Sequence, residues 1–143
     1  MYVKNVLQYK GHDIISASPD NSLLEVAKTL RENKIGAVLV CKTAGQMCGV
    51  LSERDIIIAV AKHGGDILSG KVSDFMTEGV YTCSPDDDMK QVMERMTQKR
   101  IRHLPVVEDG NVIGLISIGD VVKHRMAETE AESEALKSYI TTG

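Results

Sequence analysis

Apolar residues recur along this chain with two different spacings. Leu23, Val26, Ala27 and Leu30 fall three and four apart, which predicts a helix with one buried stripe. Ser22 ahead of that stripe and Glu25 three positions on have the spacing of a capping box. Met89, Val92, Met93 and Met96 repeat the stripe later. After each helix the apolar residues close up into paired runs, residues 37–41 with 47–51 and residues 104–107 with 112–116. These predict strands, with Gly45 marking the first connection and Glu108-Asp109-Gly110-Asn111 a hairpin turn. Ahead of each helix a short extended segment, residues 13–17 and 80–83, runs into a Ser-Pro-Asp turn. A second helix starts near Ser52 in one half and near Ser117 in the other. The order is β-α-β-β-α, twice, which is an α/β (α+β) fold.

The two halves are copies. Ser18-Pro19-Asp20 recurs as Ser84-Pro85-Asp86, 66 residues later (85 minus 19). At that offset Leu23 matches Met89, Val26 matches Val92, Leu30 matches Met96, Ile35 matches Ile101 and Val40 matches Val106. After a one-residue deletion, Gly49 to Asp55 aligns with Gly114 to Asp120. Two copies are too few for a solenoid and suit a pseudo-symmetric pair. The divisions are residues 1–66 for the first repeat with its N-terminal segment, 67–125 for the second, and 126–143 for an acidic helical tail. Residues 62–78 form the Gly-rich join, in which residues 72–77 predict a short helical turn. Leu136, Tyr139 and Ile140 make the tail either a stripe that docks on a partner subunit or a solvated helix end.

Composition narrows the function. A net charge of -3 supplies no basic excess for a nucleic-acid backbone. Aromatics at 3%, with no Trp, exclude a base-stacking platform. No apolar run approaches the roughly 20 residues of a membrane span, and Met1-Tyr2-Val3-Lys4-Asn5 lacks the core of a secretion signal. Cys41, Cys48 and Cys83 are odd in number and form no CxxC pair, so neither a disulfide framework nor a zinc site is expected. They read as small hydrophobes on strands, and the cytoplasm is the expected compartment. His12, His63, His103 and His124 are scattered, so no metal site is expected.

The candidate chemistry lies at the strand-to-helix corner Gly-x-x-Ser-x-x-Asp, with Gly49, Ser52 and Asp55, and again Gly114, Ser117 and Asp120. A glycine admits close approach to the backbone, a helix N-terminus attracts phosphate, and an Asp one turn on suits a ribose diol. The same residues also spell a capping box. Both readings stand, although the sequence uses Glu25 rather than Asp where it caps, and Asp at both corners favours a ligand. Asp86-Asp87-Asp88 reads as a helix N-terminal run that complements the dipole.

With these motifs in order, residues 6–122 resemble a tandem pair of CBS domains, or Bateman module. The matching stretches are Ser84-Pro85-Asp86, Ile101-Arg102-His103-Leu104-Pro105-Val106-Val107 and Gly114 to Asp120, with Ser18-Pro19-Asp20, Ile35 to Val40 and Gly49 to Asp55 in copy one. The resemblance implies two pseudo-twofold-related repeats in one compact module, with two clefts that take AMP, ADP, ATP, NAD(H) or S-adenosylmethionine. It implies Asp55 and Asp120 on ribose hydroxyls, Ser52 and Ser117 facing phosphate, Ala17 and Thr82 on the opposite wall, and the backbone around Ile35 to Ala37 and Ile101 to His103 at the adenine edge. Arg54 in copy one, and Arg102 and His103 in copy two, are candidate phosphate contacts. Copy one has Gly36 and Ala37 there, and Leu39 in place of the family's proline, so the clefts are unequal and the one with Asp55, Arg54 and Thr82 is favoured.

No nucleophile–base pair or open metal site is visible, so the chain reads as a binding module rather than an enzyme, with no obligatory cofactor. The leading reading is an adenine-nucleotide sensor. The alternatives are a ligand-free interaction scaffold and an S-adenosylmethionine or redox sensor. The resemblance also implies a homodimer, and the run Ile56-Ile57-Ile58-Ala59-Val60-Ala61 is apolar nearly all round, as a helix buried on more than one face would be.

Overall fold

The structure, a computed structural model, describes all residues except 12, 44, 45 and 143. The connection expected at Gly45 therefore lies outside the described residues, as does His12. The first half runs α1 (Val3–Lys10), β1 (Ser16–Ala17), α2 (Leu23–Asn33), β2 (Ala37–Thr43), β3 (Gln46–Ser52) and α3 (Glu53–His63). Two 3-10 turns (Gly65–Ser69 and Val72–Asp74) lead to α4 (Met89–Lys99), β4 (His103–Glu108), β5 (Asn111–Ser117) and α5 (Ile118–Thr142). α5 continues without a break through the acidic stretch.

The predicted stripes are the core. Leu23, Val26 and Leu30 on α2, and Met89, Val92 and Met96 on α4, are all buried. Ser22 caps α2 by accepting the Glu25 N–H at 3.1 Å, but Glu25 does not close the box. Its carboxylate instead takes a hydrogen bond from Asn21 Nδ2 at 2.6 Å. Asp88 caps α4 by accepting the Lys90 N–H at 3.0 Å. Both helices end in left-handed residues that are not glycine, Lys34 at φ 53 and Arg100 at φ 55. The next amide then bonds back into the helix, Ile35 to the Leu30 carbonyl and Ile101 to the Met96 carbonyl.

The strands form two small sheets. β1 pairs parallel with β2, and β2 pairs antiparallel with β3. β4 and β5 form the second, antiparallel pair. The extended segment expected at residues 80–83 shrinks to a single parallel bridge, Cys83 to Val106. Proline explains the difference. In the first repeat the Leu39 N–H reaches the Ile15 carbonyl at 3.4 Å. Its counterpart is Pro105, which has no N–H to donate.

The lead-in segments are exchanged. Chain order counts α1 with the first repeat, yet Val3, Val6 and Leu7 are buried with Met89, Val92, Met96, Leu104 and Ile116 of the second. Val72, Phe75 and Met76, which lead into the second repeat, pack on the core of the first. The hydrogen bonds match one for one. Val3 and Lys4 donate to the Asp87 and Pro85 carbonyls, as Val72 and Ser73 donate to those of Asn21 and Pro19. Met89 donates to Met1 as Leu23 donates to Gly70. A third cluster, with Ala37, Leu39 and Val50 against Val80, Val112 and Leu115, joins the two halves.

This exchange accounts for the corner glycines. A Cβ on Gly114 would lie 2.6 Å from Leu7 Cδ2, and one on Gly49 would lie 2.8 Å from both Met76 Sδ and the Thr77 carbonyl oxygen. The close approach that these glycines admit is that of the chain's own lead segments.

Candidate functional site

Two clefts lie between the repeats, and each draws on both. The first, a cavity of about 210 Å³, is lined by Ser52, Arg54 and Asp55 from the first repeat and by Arg100, Ile101, Arg102 and His103 from the second. The second, about 290 Å³, reverses the contributions, with Ser117 and Asp120 from the second repeat facing Ile35, Gly36 and Ala37 of the first. One corner and the other repeat's strand entrance thus meet twice. Within each repeat a backbone bond fixes the corner to that repeat's own strand entrance, Glu53 N–H to the Gly36 carbonyl at 2.9 Å and Ile118 N–H to the Arg102 carbonyl at 2.7 Å.

The capping boxes form at both corners. The Asp55 N–H donates to Ser52 Oγ at 3.3 Å, while Asp55 Oδ2 accepts from the Ser52 N–H at 2.9 Å and its Oγ at 3.0 Å. The Asp120 N–H donates to Ser117 Oγ at 3.1 Å, and Asp120 Oδ2 accepts from the Ser117 N–H at 2.9 Å. Aspartate therefore closes the box that Glu25 leaves open. Ser52 Oγ is committed to this cap rather than directed at a phosphate. Among the described residues every hydrogen bond of either carboxylate falls on Oδ2, so the cap leaves the other oxygen unused.

The charges differ between clefts. The first gathers Arg54, Arg100 and Arg102, with Glu53 and Asp55 as its acids. In the second, Lys10 Nζ from α1 donates to Asp120 Oδ2 at 2.7 Å and to the Leu115 carbonyl at 2.8 Å. Burial alone would raise the Asp120 pKa, but the bonds from Lys10 and Ser117 outweigh it and hold this carboxyl below its ordinary value.

His103 lines both clefts. Burial and the Lys10 ammonium hold its imidazole below the ordinary pKa of 6.5, against the attraction of Glu53 and Asp120. Its Nε2 would be 3.1 Å from a Cβ on Gly36. A glycine at that point of the first repeat makes room for the histidine of the second, which is a steric reason for the copies to differ there.

Two expected wall residues are elsewhere. Ala17 packs into the core of the first repeat, and Thr82 presents its carbonyl to Arg95 Nη1 at 3.3 Å. Neither lines a cleft. The walls come from residues slightly earlier, Asp13 and Ile15 in the second cleft and Thr77 and Val80 in the first. Thr77 is held there by exchanging both backbone bonds with Val50, at 2.9 and 3.0 Å. Lys10, Asp13, Ile15, Lys34, Thr77, Val80 and Arg100 are lining residues that sequence reasoning missed. For Lys10, Thr77 and Val80 the available signal was a second internal match, Val3-x-x-Val6-Leu7 with Val72-x-x-Phe75-Met76, spaced 69 rather than 66 apart.

No helix among the described residues is long and apolar enough to cross a membrane. Residues 5–62 and 72–127 match the family model described as "CBS domain". A CBS-domain containing protein from Agrobacterium tumefaciens is 46% identical with a TM-score of 0.85, over 87% of this chain and 99% of its own. The CBS domain pair of protein MJ0100, in complex with 5′-methylthioadenosine and S-adenosyl-L-methionine, is 25% identical with a TM-score of 0.79, over 90% and 98%. A CBS domain protein from Pyrobaculum aerophilum, complexed with AMP, is 27% identical with a TM-score of 0.73, over 84% and 89%. The chain belongs to the CBS domain family, as a tandem pair of repeats in one compact module.

Proposed function

We propose that this chain is a non-catalytic sensor of an adenine nucleotide (AMP, ADP, ATP or NAD(H)), which binds in the first cleft. The observation that carries the reading is the convergence of Arg54, Arg100 and Arg102 on the cleft that contains Asp55. Asp55 Oδ1 is available to a ribose hydroxyl while Oδ2 holds the cap. At about 210 Å³ the cleft is smaller than the roughly 300 Å³ at which ligand pockets begin. A nucleotide there would leave its phosphates near the mouth, where the exposed Arg54 and Arg102 side chains can reach them. Relatives complexed with AMP and with methylthioadenosine and S-adenosylmethionine support an adenosine ligand. Three guanidiniums repel a sulfonium cation, which favours a nucleotide over S-adenosylmethionine. A thiol sensor fits less well. Burial, with Asp87 adding to it, pushes the Cys83 thiol up to about 12 and leaves it protonated near neutrality.

The reading includes a homodimer in a reducing compartment such as the cytoplasm. α3 exposes Ile57 at 66% and α5 exposes Val122 and Met126, faces that a second copy would cover.

Thermal shift against AMP, ADP, ATP, NAD+, NADH and S-adenosylmethionine, each at about 1 mM, is the test. A ligand at about 100 times its Kd adds about 2.7 kcal/mol and several degrees. A nucleotide is expected to give that shift, and Arg102→Ala to weaken its binding about tenfold. No shift with any of the six would sink the sensor reading and leave the scaffold. Sedimentation of the same sample at the mass of a single chain would remove the dimer.

A further inference from the structure

The two clefts differ by one cation on the wall supplied by the lead segments. Lys10 reaches over from the last turn of α1 and holds Asp120, the counterpart of Asp55. At the spacing that superposes the two lead segments, the counterpart of Lys10 is Gly79, so the first cleft carries no ammonium at that place. The Lys10 and Asp120 side chains are 38% and 27% exposed. Solvent screens such a pair, which leaves it weak enough to be exchanged for contacts to a ligand. Lys34 lines the same cleft and adds positive charge, while Asp13 is the other carboxylate there.

We propose that Lys10 makes the second cleft selective for adenosine ligands that carry an anionic group. A ligand whose ribose takes Asp120 Oδ1 sits beside the ammonium, which is held on Oδ2. A phosphate on that ligand offers the ammonium a second anionic partner. A neutral nucleoside offers none. The inference rests on the reading of the clefts as adenosine sites.

The experiment is a titration of the full chain with AMP and with adenosine, followed by amide proton–nitrogen spectra. The two probes differ only by the phosphate. Amides of Gly36, Leu115 and Ser117 report the second cleft, and those of Val50, Thr77 and Ile101 the first. In the second cleft, AMP is expected to bind at least about tenfold more tightly than adenosine. Lys10→Met should reduce that ratio about tenfold there and leave the ratio in the first cleft unchanged, while Lys10→Arg should keep it. The unbound spectra show whether each variant is folded. An unchanged ratio in the second cleft of Lys10→Met, or an equal fall in both clefts, overturns the proposal. If only the first cleft responds in the unaltered chain, the Lys10 proposal falls and the sensor reading survives. If neither responds to either probe, both fall.

Discussion

His103 stands where the two clefts meet, with the cations Lys10 and Arg102 and the anions Glu53 and Asp120 around it. Its folded-state pKa lies below 6.5, because burial and then Lys10 disfavour the imidazolium. The unfolded chain therefore takes up this proton more readily than the folded one. The associated stability is complete above 6.5 and is lost as pH falls through the folded value. His103→Gln abolishes that loss. Between about pH 7 and pH 5 the melting temperature of the unaltered chain should drop more steeply than that of the variant. Parallel slopes in differential scanning calorimetry would show that the imidazole titrates as it does in the unfolded chain. The neutral ring also bears on the phosphate contact that sequence reasoning expected. At neutral pH His103 offers a ligand one N–H donor, and the net positive charge is left to the arginines.

At the scale of elements, the two helix ends that feed the clefts are strained. Lys34 and Arg100 adopt φ near +55, where only glycine is free of a Cβ penalty. Arg100 lines the first cleft and Lys34 the second. Strain retained beside a cleft accords with a functional side chain. Arg100→Gly should stabilise the chain by about 1 kcal/mol in urea unfolding while weakening a phosphate-bearing ligand in the first cleft. Lys34→Gly should match the gain without that loss. A fall in stability for both would refute the strain account. Much of this level was legible in the sequence. The Leu23 and Met89 stripes, the strand pairs and the corners at Ser52 and Ser117 are local patterns, and local patterns fold into the elements they predict. Arg100 was not legible, because nothing in an arginine announces a left-handed cap. The 80–83 strand was over-read, because its lost hydrogen bond belongs to Pro105, in another strand.

At the scale of the molecule, the exchange of lead segments decides what can fold alone. Val3, Val6 and Leu7 are buried in the second repeat, and each such side chain contributes about 1.5–3 kcal/mol. Their sum is comparable with a typical domain's whole stability of about 5–15 kcal/mol. A chain that starts at residue 11 should therefore lose its cooperative thermal transition by circular dichroism, or melt well below the full chain. An unchanged transition would mean that α1 is dispensable. The same exchange hid Lys10, Thr77 and Val80 from sequence reasoning, since they reach the clefts through packing between segments far apart in the chain. It also has a consequence on the ribosome. Leu7 is buried in a cluster whose other residues beyond α1 run from Cys83 to Val121, so the apolar side of α1 is made before the residues that cover it. At about 5–20 residues per second, synthesis alone separates the two by several seconds to roughly 20 s. Over that interval the nascent helix has only chaperones or the folding first repeat to shield it, and the wait is set by translation rather than by any folding barrier.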